Sequence, residues 1–474
     1  MNRRAILRLI NAILAGGIVS CSQTALDKRV GAANRKKRIL VIGAGIAGLA
    51  AASELQKQGH DLLVLEARDR MGGRIWTSTH WLDAPLDMGA TWIHGVKRNP
   101  LTAIAQQIEA QTILTSYNSN ATYNLSGQIL SEREEEHLEQ LQKWIDLALK
   151  KFQERDDDLS IKKAIDAEID LARLSTEDRQ LVDFILNVNI EHEYAGSIQE
   201  LSARWFDDDK AFRGEDALFP QGFWQIIEHL AKNLRVELGQ TVKEIQRSTS
   251  SVRVVTNKAE HIADCAIVTL PLGVLKSREV RFNPELPPSK LDAIDKLGMG
   301  VLNKCFLRFP KAFWPANVDW LGYIPARHGE WAEWFSFMRS ANLPVLLGFN
   351  AADRGREIES WTDEKIVASA LQTLKTMFGH DIPEPLDYQI TRWASDPFTF
   401  GSYSFNAVGS TPQMRKQLAE SLDSRIFFAG EATEDRYFGS THGAYLSGLR
   451  VAREISRICL LYPPYHPISH AQNC

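Results

Sequence analysis

Gly43-Ala44-Gly45-Ile46-Ala47-Gly48 is the first stretch of the chain whose residue types and spacing can do chemistry. The apolar run 39–42 before it reads as a strand buried on both faces, and 49–58 after it reads as a helix. In that setting Gly43 permits a tight turn, Gly45 lets the backbone approach a pyrophosphate, and Gly48 lets helix and strand pack closely. Ile46 and Ala47 lie where the helix opens, and its unpaired N–H groups favour phosphate. A second strand over 61–65 ends at Glu66, placed to accept hydrogen bonds from a ribose diol and to repel a 2′-phosphate. This is a βαβ dinucleotide site. Much later, Lys304 sits inside the apolar stretch 300–306. An ammonium in a buried strand is costly unless a function retains it.

The elements that must position these residues alternate along the chain. Helical patterns dominate 99–230, and the strongly charged stretch 132–157 reads as an exposed amphipathic helix. A helix is expected over 225–233, short strands over 235–238, 242–246 and 251–256, and an apolar strand over 263–270. Strands fill 301–350, helix returns over 361–378, and a strand ending in Gly430 precedes a last helix over 443–455. The spacing predicts an α/β protein with a nucleotide domain built from three separated pieces, 36–95, 223–310 and 388–460. The pieces 96–222 and 311–387 form a second, mixed sheet-plus-helix substrate domain, and 461–474 is a tail.

Composition narrows the function classes. A net charge of -4 lacks the Lys and Arg excess that a nucleic-acid surface needs. Many of the 12 Trp fall between 314 and 393, where flat rings either line a pocket for an apolar or cationic ligand or form plain core. The five Cys show no C-x-x-C spacing, so neither a zinc site nor a disulfide framework is expected. Arg3 and Arg4 precede a small and apolar segment too short to span a membrane stably. Ile18-Val19-Ser20-Cys21 resembles the lipobox of bacterial lipoproteins, which implies a signal segment over 1–21, a linker over 22–35, a lipid anchor at Cys21 and export. The Arg pair also resembles a twin-arginine signal. The alternative is an unprocessed helix on a cytoplasmic protein.

Several motifs together resemble the flavin-containing amine oxidases, in particular their polyamine-oxidase branch. Glu66-Ala67-Arg68 through Gly72-Gly73-Arg74 is similar to the family's second signature. So are Thr269-Leu270-Pro271-Leu272-Gly273, Phe428-Ala429-Gly430-Glu431-Ala432-Thr433, and the helix opening at Thr441-His442-Gly443. The resemblance covers residues 39 to about 455 and implies FAD in a Rossmann-like domain of the amine oxidase/p-hydroxybenzoate hydroxylase type. It also implies that Val242 meets the adenine and that Gly89-Ala90-Thr91-Trp92 runs beside the flavin. Covalently flavinylated relatives carry a Cys before an active-site Tyr. Here Gly401-Ser402-Tyr403 has Ser402 in that place, so the FAD is expected to be noncovalent.

The resemblance assigns further roles. Lys304 is expected to hold a water at the reactive edge of the flavin. Tyr403 is one wall of an aromatic cage, and Trp393 packs nearby. Ser440 stands where a second Tyr would complete the cage, which argues against a small arylalkyl monoamine. His94 lies where the family's polyamine oxidases place a polar residue near the reacting nitrogen. Glu193 matches a Glu that meets a distal ammonium, and Glu191 is the weaker candidate. The implied partners are a cationic amine, with Trp92, Ser440 and Thr441 also lining its path, and O2; the chain is expected to be a monomer or weak homodimer. An L-amino-acid oxidase would need Arg392 or Arg327 to clamp a carboxylate. A histone-demethylase role is disfavoured because the chain lacks the length of that branch's helical tower. A flavin-binding partner without activity is a third alternative, against which Lys304 and Tyr403 speak.

Overall fold

The computed structural model describes residues 36–461. The expected signal segment, Cys21 and the tail lie outside them. Among the described residues no helix is long and apolar enough to cross a membrane.

Continuous apolar runs make the first sheet. Strands Ile426–Phe428, Cys265–Val268, Arg38–Ile42, Asp61–Leu65 and Val236–Glu237 lie side by side in that order, all parallel. Cys265–Val268 is buried at every position, because layers cover both faces of the sheet. One layer is the pair of helices Ile46–Lys57 and Thr441–Leu461, whose alanines pack into a shared core. The other includes a four-stranded sheet over 242–283.

The second sheet has six strands in the order Asp387–Ile390, Leu302–Arg308, Val345–Ala351, Glu333–Ser336, Trp320–Tyr323 and Asn120–Tyr123. It is antiparallel except for the last pair. Two expected boundaries shift here. The sequence pattern places Leu302–Arg308 in the nucleotide domain and 388–390 in its third piece, but both belong to this second sheet, the first inside it and the other at its edge. A buried apolar run looks the same in either sheet, and only its non-local partners distinguish them. The helix expected over 361–378 is Asp363–Phe378, and a separate helix, Ala352–Glu359, precedes it.

A helical lobe completes the molecule. Glu132–Gln153 begins at a capping box made by Ser131 and Glu134, and buries Leu141, Ile145, Ala148, Leu149 and Phe152 on one face. Ile161–Glu168 and Thr176–Leu186 pack against it. The last of these runs into a π-helical turn, Asn187–Glu191, then a short turn His192–Tyr194 closed by Ala195 at φ +57°.

Candidate active site

Both sheets and the helical lobe face one cavity of about 560 Å³. Its nucleotide end begins at the glycine turn. Gly43 adopts φ +105° and donates its N–H to Leu65 O at 2.8 Å. A Cβ on Gly48 would fall 2.1 Å from Gly43 O, so this glycine is what lets the helix sit on the turn. The helix beyond has no acidic residue in its first turn. The Glu66 carboxylate accepts from Ala44 N at 2.7 Å and Arg68 N at 2.9 Å, and each oxygen keeps a lone pair for a ribose hydroxyl.

A buried network holds the opposite wall. Arg74 donates to Glu431 Oε1 at 2.8 Å and to Ser402 O at 2.9 Å. Glu431 Oε2 accepts from Ser404 Oγ at 2.6 Å and Gly439 N at 3.1 Å, and Arg415 donates to Ser404 Oγ at 2.8 Å. Burial alone would raise the Glu431 carboxyl, but Arg74, Ser404 and Arg415 outweigh it and hold the group below the usual carboxylate range. Gly430, at φ +126°, has nothing within 4 Å of where a Cβ would stand. A glycine turn, an open cradle and paired guanidiniums fit a dinucleotide such as FAD.

At the other end Lys304, from the second sheet, reaches the segment 87–91. Its Nζ donates to Asp87 O at 2.7 Å, Gly89 O at 2.6 Å and Thr91 Oγ1. Burial drives this ammonium down to about 7 while Asp87 acts to raise it. Burial likewise pushes the Asp87 carboxyl up to about 6, against Thr77, the Phe223 N–H and Lys304. Burial thus makes this lysine a weaker base than an exposed one, while its three acceptors and Asp87 favour the ammonium. Beyond it stand stacked rings: Trp92 against Trp320 at 5.5 Å, and Trp320 against Tyr117 at 4.7 Å and Phe349 at 6.1 Å. His94 Nδ1 meets Asp216 Oδ2 at 2.8 Å, while Asp216 Oδ1 accepts from Gly95 N. Tyr403 OH donates to His192 O at 2.8 Å, and His192 Nδ1 meets Glu333 Oε2 at 3.0 Å.

The sequence-derived candidates converge on this cavity. Lys304, Tyr403, His94, Trp393, Glu193, Trp92, Ser440 and Thr441 all line it, as do Gly43, Gly45, Ile46, Ala47, Glu66, Ala67, Arg68, Gly73, Arg74, Gly89, Ala90, Thr91, Val242, Gly430 and Glu431. Gly48 does not, since it packs helix against turn. The Ser440 hydroxyl is engaged locally, accepting from Gly443 N at 3.0 Å and donating to Tyr437 O at 2.6 Å, so it caps the last helix while leaving room in the cage. Glu191 is absent from the lining; it is bonded to Asn187 and Ile198 in the helical lobe and to His328 of the loop before Glu333–Ser336. Arg392 and Arg327 are absent from the lining; they pair with Asp363 and Glu357. Sequence reasoning missed Tyr117, His192, Trp320, Glu333 and Phe349 in the lining, and Asp216 behind His94. Glu333 carried the signal that exposed Lys304, a charge inside an apolar strand.

The comparisons agree with this geometry. The family model described as flavin containing amine oxidoreductase matches residues 46–456. Polyamine oxidase 2 of Arabidopsis thaliana is 32% identical over 439 residues, covering 89% of this chain and 88% of that protein. Lysine-specific histone demethylase 1 homolog 2 of the same plant is 33% identical over 439 residues, 89% of this chain, but the chain spans only 58% of that relative's length. A solved putrescine oxidase, a double mutant from a redesign of cofactor binding, superposes with a TM-score of 0.74 at 20% identity, covering 89% of this chain and 99% of that one. That last likeness concerns the fold.

Proposed function

We propose, from the premise that the chain belongs to the flavin-containing amine oxidoreductase family, that it oxidises linear polyamines of the spermine and spermidine kind. The carbon beside a nitrogen loses a hydride equivalent, water splits the resulting imine, and O2 leaves as hydrogen peroxide. FAD, when bound, supplies the two-electron acceptor for that hydride. The chain's own residues bind, orient and exclude water. Glu66, Arg74 and Glu431 would hold the dinucleotide. Trp92, Trp320 and Phe349 strip water from the methylene chain. Asp216 keeps the His94 proton on Nδ1, which leaves Nε2 to accept from a neutral amine. Lys304 offers a donor or base at the floor of the cavity, where a water is needed.

The observation that carries the polyamine reading is the lining of the amine end. Aromatic walls alternate there with the acids Glu193 and Glu333, while the guanidiniums of the lining, Arg68 and Arg74, are paired at the nucleotide end with Asp396 and Glu431. That pattern suits several separated cations and offers no clamp for a substrate carboxylate. Relatives named as histone demethylases match this chain as well as those named polyamine oxidases do, over a smaller share of their length. Their similarity supports the shared chemistry and leaves substrate to the cavity.

An oxygen-electrode screen over spermine, spermidine, N-acetylated polyamines, diamines, monoamines and L-amino acids, with product masses, tests this. Polyamines should give the highest kcat/KM. Glu193→Gln should raise KM for spermidine and spermine far more than it lowers kcat, because it removes binding remote from the reacting carbon. His94→Ala should lower kcat as well. A monoamine or an L-amino acid as the best substrate, with both variants unchanged on polyamines, would sink the proposal.

A further inference from the structure

We infer that residues 393–400 form a strap over the FAD cavity. Glu359 and Asp396, neither of which lines that cavity, are the positioning residues that hold the strap down and set how long FAD stays bound. The inference rests on FAD binding and is independent of which amine is oxidised.

The sequence explains why this wall needs outside support. Pro397 has no N–H, and Phe400 and Gly401 take φ of +50° and +145°, so the stretch is unsuited to a ladder. It holds neither strand nor helix from 391 to 403. Its amides are satisfied by side chains instead. Trp393 N donates to Asn303 Oδ1 at 3.0 Å, and Phe398 N to Asp396 Oδ1 at 2.9 Å. Ala394 N and Ser395 N donate to the two oxygens of Glu359, both at 2.8 Å. The same carboxylate accepts from Ser395 Oγ and, at 2.7 Å, from Asn303 Nδ2. Asn303 is the residue before Lys304 in one strand, so its side chain lies on the opposite face. Glu359 closes the helix Ala352–Glu359, whose Gly355 O also accepts from Asn303. The start of the strap is thus fixed to the back of the Lys304 strand.

The strap runs from the reaction end of the cavity to its nucleotide end. Trp393, Pro397, Phe398 and Thr399 line the cavity. Trp393 meets Trp76 edge-on at 6.4 Å, and a Cβ on Gly89 would stand 3.5 Å from its ring. At the nucleotide end Arg68 pairs with Asp396 at 2.7 Å and lies 5.1 Å from the centre of the Phe398 ring. A Cβ on Gly273 would fall 2.2 Å from Thr399 O, so the far end of the strap seats directly on that turn. Asp396 therefore holds the strap both to itself and to the nucleotide domain. A wall held by side chains at two points opens locally at lower cost than one held by a ladder. Lifting this wall uncovers the dinucleotide site along its length.

The test follows exchange of bound FAD for radiolabelled FAD. Glu359→Gln replaces one acceptor with a donor that faces N–H groups, and it should speed exchange roughly tenfold or more, because bonds to a carboxylate are the strong ones. Asp396→Asn should speed it as well, and it decides the matter if Glu359→Gln does not fold. Rebinding of FAD to the apoprotein should also quicken, since a larger open fraction admits the cofactor. Arg308→Gln breaks the ion pair with Asp83 in the same strand as Lys304 but leaves the strap intact, and it should exchange at the wild-type rate. Exchange at the wild-type rate in the folded strap variants would overturn the inference. So would equal acceleration in Arg308→Gln, which marks a general loosening, or rebinding no faster than in the wild type, which marks a lost contact and not a gate.

Discussion

At the residue scale, Lys304 explains why the chain tolerates a buried charge. Three acceptors, Asp87 O, Gly89 O and Thr91 Oγ1, receive its amine, so its retention has a structural and a chemical side. Lys304→Met leaves those carbonyls without a donor, at a stability cost of about 1–3 kcal/mol. It should slow flavin reduction or reoxidation about 100-fold or more while FAD stays bound. Stopped-flow traces of flavin absorbance check this, and an unaltered rate would reject the role. The protonation change adds a second readout. Burial lowers the pKa of this ammonium, so it gives up its proton at a lower pH than an exposed lysine does. The wild-type rate of the Lys304-dependent step should rise with pH over a range below that of an exposed lysine, and the variant's profile should lack that limb.

At the scale of elements, the π-helical turn Asn187–Glu191 decides where His192 and Glu193 sit. An extra residue in one turn rotates the side chains beyond it about the helix axis, and such turns recur at functional sites. Glu191 pins it, accepting from Asn187 Nδ2 at 2.8 Å, Ile198 N at 3.1 Å and His328 Nε2 at 2.7 Å. Val301 N then donates to Ala195 O at 2.9 Å, which couples this segment to the start of the Lys304 strand. Burial disfavours the His328 imidazolium, yet Asp183 and Glu191 outweigh it and raise the group to about 10 from 6.5. The folded chain thus keeps a proton that the unfolded chain releases near 6.5. That contribution is complete below pH 6.5 and is lost as pH rises through about 10. It amounts to about 1–2 kcal/mol once screening at the partly exposed ring is allowed for. His328→Gln should therefore flatten the fall in Tm between pH 6.5 and 10; an identical slope in variant and wild type would contradict this linkage.

At the scale of the whole molecule, the cavity joins all three parts of the structure, so its cofactor should act as a clamp. A ligand bound only to the folded state adds about 2.7 kcal/mol at a hundredfold excess over Kd. Removing FAD should lower Tm by several degrees, and adding it back should restore the original value. Ser402 is already satisfied, its Oγ accepting from Leu302 N at 2.8 Å and donating to Leu302 O at 3.1 Å, and a hydroxyl forms no thioether with flavin. Trichloroacetic acid should accordingly release all the yellow colour; colour left in the pellet would overturn noncovalent attachment. Glu431→Gln removes the carboxylate that Arg74 and Ser404 share and should yield protein depleted in FAD, read from the ratio of flavin to protein absorbance.

The sequence by itself determined what is local and contiguous. Gly43, Gly45, Gly48 and Glu66 belong to one strand–turn–helix–strand passage, so their spacing states their geometry. Lys304 betrayed itself by polarity within an apolar strand. The sequence motifs around Arg74, Glu431 and Tyr403 pointed to one site through family likeness. Tertiary structure alone decided which sheet receives Leu302–Arg308, since a buried run reads alike in either. It alone paired His94 with Asp216, 122 residues on, and His192 with Glu333, 141 residues on. Of two acids separated by a single residue, it set Glu193 in the cavity lining and left Glu191 outside it. Hydrogen-bond partners across such separations leave no periodic mark in a sequence, because backbone register and a π-helical turn, not spacing, bring them within reach.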